Sequence, residues 1–268
     1  MSVAHEDVRL FAEEPDRFMP MPPAPSKRVR NERFALFLGP TPWITTISGV
    51  RVAPEGVESV VEEVRRLLAA ERHLRATWMI GPSSRPVGLA ERLEAVGLVP
   101  ADRPPLEPTT TAMALTAPPR TGETGAIVVR KVESFADFCA VDELSFAGSA
   151  VATEERESFA ATAPDRFEAY CSHAHQIRFL ALIDGRKIAA AQVFVASVGL
   201  VLGGSTTVPE ARGRGAYRAL VRARWDEAVR RDTSALVVHA GAMSRPILES
   251  VGFEPVCELD VLLDPATS

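Results

Sequence analysis

Residues 206–220 read TTVPEARGRGAYRAL, and the fold is decided there. An apolar strand pattern, Val198–Leu202, leads into this stretch, and an amphipathic run, Tyr217–Arg230, leads out of it. Between them stands a basic, glycine-rich turn, Arg212-Gly213-Arg214-Gly215-Ala216. Glycines at 213 and 215 permit backbone angles that side chains forbid, so successive N–H groups can converge on one concavity. The positive end of the following helix adds to that field, and Arg212 and Arg214 supply full charges. Such a turn suits a pyrophosphate. The same residues also suit a solvated connection, and the rest of the chain has to separate the two.

The 268 residues accommodate one large domain or two of ordinary size. A hydrophobic content of 46% with 24% charged residues is that of a soluble globular protein with a substantial core. A net charge of −5 argues against a nucleic-acid partner, so the basic turn is a local feature. Cys139, Cys171 and Cys257 are widely spaced without a CxxC pair, which points to a reducing compartment and to no disulfide framework or cysteine-based zinc site. The start, MSVAHEDVRLFAEE, is acidic and lacks the apolar stretch of a signal peptide, and no apolar run reaches membrane-spanning length. Lysine occurs only at 27, 131 and 187 while arginine and alanine abound, a bias expected of a GC-rich bacterial genome. The expectation is a cytoplasmic bacterial protein with no membrane partner, a monomer or homodimer.

His5–Glu14 has a helical pattern, and the prolines at 20, 22, 23 and 25 then impose an extended connector. Glu32–Leu38 and Trp43–Val52 have strand composition. Val57, Val60, Val61, Val64, Leu67 and Leu68 form an apolar helical stripe after Pro54-Glu55-Gly56. A strand at Thr77–Ile80, the turn GPSSRP, a helix at Leu89–Val96 closed by Gly97, and a strand at Thr109–Leu115 complete the first half. A Pro- and Gly-rich connector over 117–125 separates it from the second. There the pattern gives a strand at Ala126–Val132, a helix capped by Ser134, and a helix over Ala152–Phe167 ending near Pro164. A hairpin turning at Asp184-Gly185 follows, then the strand Val198–Val208, the helix Tyr217–Arg230, a strand at Ala235–His239 and a helix at Ser244–Glu249. Gly252 caps that helix before a last strand near Cys257–Leu263.

The halves repeat. Pro54-Glu55 and Pro209-Glu210 each precede a helix, and Gly97 and Gly252 each close one, both at an offset of 155 (209 − 54; 252 − 97). The turns GPSSRP and GAMSRP align at 160 (241 − 81). Two copies of one α/β unit are implied. Their chemistry differs, because PEGVESVVE stands where the second copy has PEARGRGAYRAL, and Glu55 and Glu58 would repel a phosphate.

With these residues in view, the chain resembles the GCN5-related N-acetyltransferase (GNAT) superfamily. The resemblance is carried by Arg212-Gly213-Arg214-Gly215-Ala216-Tyr217 after VPEA, and by the ending Ile247-Leu248-Glu249-Ser250-Val251-Gly252-Phe253-Glu254. It implies two GNAT-like domains in tandem, a degenerate one over 1–118 and a cofactor-binding one over 124–268. Each would be an α/β unit with a mixed, mostly antiparallel sheet, flanked by helices, whose central parallel strands splay apart. It further implies acetyl-CoA as co-substrate, without a metal. Backbone groups of Thr206, Thr207 and Val208 would pair with the pantetheine amides, and Arg212, Gly213, Arg214, Gly215, Ala216 and Tyr217 would surround the pyrophosphate. The implied reaction is direct attack of a small-molecule primary amine on the thioester, which needs a base, an oxyanion donor and an acid for the thiolate.

The sequence departs from the family where it matters for chemistry. Leu248 stands where the family often has an acidic tyrosine, and Gly241 where it often has asparagine. The remaining candidates for catalysis are His239 as base, Ser244 as hydrogen-bond donor and Tyr217 beside the cofactor. Each has a plainer reading: a core histidine, a helix N-cap and a packing ring. His173 and His175 lack a third ligand. Two alternatives to an acetyltransferase therefore stand: a non-catalytic acyl-CoA-binding sensor or scaffold, and a nucleotide-binding enzyme, which lacks the Lys-Ser/Thr that should follow its glycines. The acceptor pocket is expected around Phe135–Tyr170, where alanine and phenylalanine make it partly apolar.

Overall fold

The computed structural model describes residues 5–42, 44–102, 106–122, 125–147 and 151–265. Trp43 and connector residues Glu123 and Thr124 lie outside them. The first half runs α1 (His5–Glu13), β1 (Lys27–Arg30), β2 (Ala35–Leu38), β3 (Thr45–Ser48), α2 (Val57–Ala70), β4 (Thr77–Ile80), α3 (Leu89–Ala95), β5 (Val99–Pro100) and β6 (Thr109–Leu115). The second half runs β7 (Val128–Lys131), α4 (Phe135–Phe146), α5 (Thr153–Ala161), α6 (Ala163–Ser172), β8 (Gln176–Ile183), β9 (Arg186–Val195) and β10 (Leu200–Thr207). It ends with α7 (Ala216–Arg230), β11 (Leu236–Ala240), α8 (Arg245–Val251) and β12 (Glu254–Leu263).

Local chemistry explains most of these boundaries. Ser134 accepts from Asp137 N–H at the start of α4, the expected cap. Asp184 and Gly185 both have positive φ, 50° and 77°, as a two-residue hairpin between β8 and β9 requires. Three expectations need correction. The strand expected over 43–52 spans only Thr45–Ser48, and Gly49 follows it with a φ of 63°. The single helix over Ala152–Phe167 is two helices, because Pro164 sits in the first turn of α6, where its missing N–H costs nothing. The strand expected at Glu32–Leu38 starts only at Ala35: Asn31 Oδ1 accepts from the N–H groups of Arg33 (2.8 Å) and Phe34 (2.9 Å) and turns the chain back onto the basic strand β1.

The repeat is exact in strand register. Parallel β3 and β4 oppose Thr46 to Thr77, and parallel β10 and β11 oppose Val201 to Val237. Adding 155 and 160 to the first pair gives the second (46 + 155 = 201; 77 + 160 = 237). Both copies thus have a mixed, mostly antiparallel sheet around one parallel pair.

The halves do not keep their own last strands. Twelve strands form one sheet in the order β1-β2-β3-β4-β12-β6-β11-β10-β9-β8-β7, with β5 beside β12. The final strand of the second half, β12, pairs with β4, and the final strand of the first, β6, pairs with β11. The two exchanged strands pair with each other from Glu254↔Ala114 to Asp260↔Thr109. A bidentate ion pair adds to this seam: Arg65 of α2 donates from Nε and Nη2 to Asp264, at 2.8 and 2.9 Å.

Side chains alternate across the sheet and assign helices to its faces. Leu236 belongs to the core that includes Leu220 and Leu248, from α7 and α8. Trp78 and Leu262 pack with Val64 and Leu93, from α2 and α3. Val237 and Leu259 instead meet Phe11 of α1, and Leu180 and Ala190 meet Phe138 of α4. Helices α2, α3, α7 and α8 therefore cover one face, and α1 with α4 to α6 the other.

Near the end of α7, buried Glu227 takes Arg231 at 2.7 Å and also accepts from Arg230 and Lys131. Burial pushes its carboxyl pKa up, but the three cations outweigh burial and bring it to about 2. A depressed carboxyl pKa contributes stability above the unfolded value, near 4.5, and loses it as pH falls towards 2. Glu227→Gln should destabilise by about 1–3 kcal/mol at pH 7, with a Tm difference from wild type that shrinks between pH 4.5 and 2. The strand exchange makes a second expectation. Residues 124–268 expressed alone leave β11 without β6, so circular dichroism should show no cooperative melt until 1–118 is co-expressed.

Candidate functional site

The site lies where β10 and β11 part. They are paired at Leu200↔Leu236 and Val201↔Val237 and no further. Just beyond, β10 shifts register against β9 between Leu202 and Ser205, at Gly203-Gly204. A side chain at Gly203 would meet Gln192 and Phe194, with Cβ 2.6 Å from Gln192 Cγ, so this bulge needs glycine. The bulge bends β10 away from β11 and opens a wedge in the sheet.

On the β10 side, the edge that faces this wedge is short. Val208 donates its N–H to the Ile188 carbonyl (2.9 Å), and its own carbonyl accepts from Ala211 N–H (3.0 Å). Both backbone groups of Val208 are engaged, which removes it from the edge expected from the sequence. Backbone groups alternate along a strand, so Thr206, opposite Ala190, also turns to β9, and Thr207 presents its N–H and carbonyl to the gap.

The first copy has the same wedge, and its own chain closes it. Arg85 donates its N–H to the Val50 carbonyl (2.8 Å), and its carbonyl accepts from Val52 N–H (3.2 Å). Behind this bridge, Ser83 N–H donates to Glu13 (2.6 Å), and Arg51 donates to Glu14 (2.7 Å) and to Ser83 Oγ (3.0 Å). The repeat offsets map Val50, Val52 and Arg85 onto Ser205, Thr207 and Arg245. No such bonds join those residues: Arg245 N–H instead donates to Gly241 O (3.0 Å) as α8 begins. The second wedge is open.

The glycine-arginine turn stands beside the open wedge. Gly213 and Gly215 have φ of 74° and 89°, in the left-handed region glycine favours. Gly215 is the N-cap of α7 and offers no side chain to its orphan N–H groups, and the first turn holds no acid. Arg212, Gly213 and Arg214 are exposed, and neither arginine makes an ion pair with a described residue. In the first copy, Glu58 occupies the first turn of α2. One helix start is arranged for an anion and the other against it.

The proposed catalytic residues do not gather around one point. His239 lies in β11, two residues beyond its last pairing with β10, and faces the side of α1. Its Nε2 is 2.9 Å from the Ala12 carbonyl oxygen. A carbonyl only accepts, so Nε2 carries the hydrogen and Nδ1 the lone pair. Burial pushes the imidazole pKa down, against the Ala12 hydrogen bond and the charges of Asp16 and Glu13, so it is neutral at neutral pH. Tyr217 sits on the opposite face, packed on the core of α7, with the guanidinium of fully buried Arg224 5.7 Å from its ring centre. Burial raises its pKa, partly offset by Arg224. Arg224 also donates to Ser205 Oγ (2.9 Å) at the wedge, a contact the sequence pattern did not single out. Ser244 does not cap α8 with its side chain. Its hydroxyl turns back to Gly241 O at 3.2 Å. Leu248 is fully buried in the core.

On the face of α1, His239 lines a cavity of about 390 Å³. That volume falls within the range of small-molecule sites. Phe159, Arg166 and Ala169, from the region expected to form a pocket, supply only part of its wall. The first half supplies much of the rest, through 15–26, Arg28, Thr46 and Ser48. His239 and Glu107 share a smaller cavity of about 180 Å³, and Glu107 Oε2 accepts from Ala242 N–H at 2.8 Å. Glu107 comes from a loop of the first half with no motif to mark it. Among the described residues, no helix is long and apolar enough to cross a membrane.

No family model and no curated protein matches the sequence. Solved structures do match the fold. A GCN5-related N-acetyltransferase from Kribbella flavida is 18% identical with a TM-score of 0.64, over 89% of each chain. A tandem GNAT protein from the clavulanic acid biosynthesis pathway is 18% identical at 0.59, covering 96% of this chain and 87% of its own. A GCN5-related N-acetyltransferase from Sphaerobacter thermophilus is 19% identical at 0.57, covering 87% of this chain and 81% of its own.

Proposed function

From a chain with the tandem GNAT fold, we propose an acetyl-CoA-dependent N-acetyltransferase that acts on the primary amine of a small molecule, using only its second half. The observation that carries this reading is the contrast between the wedges: one is bridged by Arg85, the other is open beside an uncapped basic helix start. We take 1–118 as the copy that has lost its cofactor site and 124–268 as the copy that keeps it.

In this reading Arg212, Arg214 and the N–H groups opening α7 hold the pyrophosphate, and the edge of Thr207 pairs with the pantetheine arm. Open space around Gly213, where an added Cβ would meet nothing within 4 Å, fits that role. Acetyl-CoA supplies an acetyl group activated as a thioester. His239, with its ring fixed by Ala12, takes on Nδ1 the proton that the attacking amine must lose. Attack of the amine would form the nitrogen–carbon bond as the carbon–sulfur bond breaks, and the proton held on His239 would return to the departing thiolate. The cavity on the face of α1 receives the amine, opposite α7 and its cofactor turn.

Titration calorimetry tests the cofactor claim. Acetyl-CoA should bind, and Arg212→Glu, at an exposed extended residue, should weaken it by about tenfold or more. Unchanged affinity would remove the turn from the site. The base makes a separate expectation. His239→Gln should lower kcat/KM by about 10²–10⁴-fold, and the wild-type pH profile should show an acidic limb below 6.5 that the variant lacks.

One observation favours a second reading, an acyl-CoA sensor or scaffold. Leu248 is fully buried where an acid is expected, and the Ser244 hydroxyl is spent on Gly241 O. Thiol release above the hydrolysis background with any amine would end that reading.

A further inference from the structure

The wall of the larger cavity has a charge pattern that the proposed reaction does not explain. Among the described residues lining it, Asp16 is the one acid, against Arg28, Arg166 and Arg178. Asp16 is matched by Arg28 at 3.0 Å. Arg166 and Arg178 share a single carboxylate behind the wall, Asp142, at 2.8 and 2.7 Å. Two guanidinium groups on one carboxylate leave one positive charge in surplus. His175 and His239 add none at neutral pH, since burial lowers both pKa values.

These arginines are fixed and not fully used. Arg166 and Arg178 are 8% and 3% exposed. Arg166 lies 3.8 Å over the ring of Phe159, and Arg178 3.8 Å over that of Phe138. Arg166 also donates to Thr162 Oγ1 (2.9 Å), and Arg178 to the Phe138 carbonyl (3.1 Å). Even so, Arg166 Nη1 and Arg178 Nε have no hydrogen-bond partner among the described residues, and nor does Arg28 Nε. A buried charge with unmet donors costs stability unless something completes it. Phe37, Ile44, Met79 and Phe194 add apolar surface to a wall that also holds Gln176 and Gln192.

We infer that the acceptor amine also carries an anionic group, a carboxylate or a phosphate, which Arg166 and Arg178 hold while an apolar body fills the cavity. The inference rests on the acetyltransferase reading for the word acceptor, but the anion site can be tested without acetyl-CoA. A polyamine or other purely cationic acceptor is disfavoured by the same surplus charge.

The test is a thermal melt of the full chain with matched ligands: phenylacetate, phenyl phosphate, and the neutral isostere phenylacetamide. At about ten times Kd, a ligand of this site should raise Tm by about 3 °C. A rise with phenylacetate alone identifies a carboxylate acceptor, and one with phenyl phosphate alone a phosphate. Arg166→Gln should abolish the rise, because Arg178 and Asp142 then balance, and Arg166→Lys should retain part of it. The rise should persist in Arg212→Glu, which separates the cavity from the cofactor turn. An equal rise with phenylacetamide, or none with either anion, overturns the inference in the wild-type protein, whatever the variants do. A failure of acetyl-CoA to bind would leave this result standing and overturn only the cofactor reading.

Discussion

Antiparallel pairing of β6 with β12 joins the halves, and the remaining architecture follows from it. Each strand lies beyond its own unit and completes the sheet of the other, between β4 and β11. A strand edge left bare costs hydrogen bonds and invites association, so neither half presents a finished sheet without its neighbour. Because the strands are exchanged, the sheet runs unbroken from β1 to β7, with equivalent helices on the same face. The two wedges stand in one sheet, and the segment after α1 lies where it can wall a cavity against strands of both halves.

One scaffold thereby gives two outcomes at equivalent places. The parallel pairs have the same register, so register does not explain why one wedge is open. Arg85 bonds across the first through its backbone, with Glu13, Glu14, Arg51 and Ser83 packed behind. In the second, the equivalent stretch winds into α8 and leaves the edge of Thr207 bare. Charge follows the same division, with glutamate in the first turn of α2 and arginines ahead of α7. Chemistry is then split by face: an anion-receptive helix start on one side of the sheet, a histidine and a cavity on the other.

Much of this was legible in the residues. Prolines, glycines and apolar stripes located the helices, and the offsets of 155 and 160 foretold the matched registers. The strand exchange was not legible, because alternation in TTTAMAL says which face is buried and not which strand lies alongside. Strand β1 was missed because Lys27-Arg28-Val29-Arg30 has little of the composition of a strand. Val208 was placed on the wedge by its position beside the motif, and the alternation of backbone groups moved it off. The arginines of the cavity did leave a trace. In QIRFLALI, Arg178 interrupts an apolar strand, and a charge on a buried strand needs a partner that sequence alone cannot name.

Joining the copies in one polypeptide has a consequence for what each can become. In a symmetric dimer of single copies exchanging the same strands, every substitution would appear twice. A change that closed one wedge would close both, and activity would be lost with it. Tandem fusion breaks that symmetry. The first copy is free to seal its cleft with Arg85 and lend Arg28, Thr46 and Ser48 to its neighbour's cavity. What looks like decay in the first half is then specialisation: a second copy of the fold retained as the wall of a cavity.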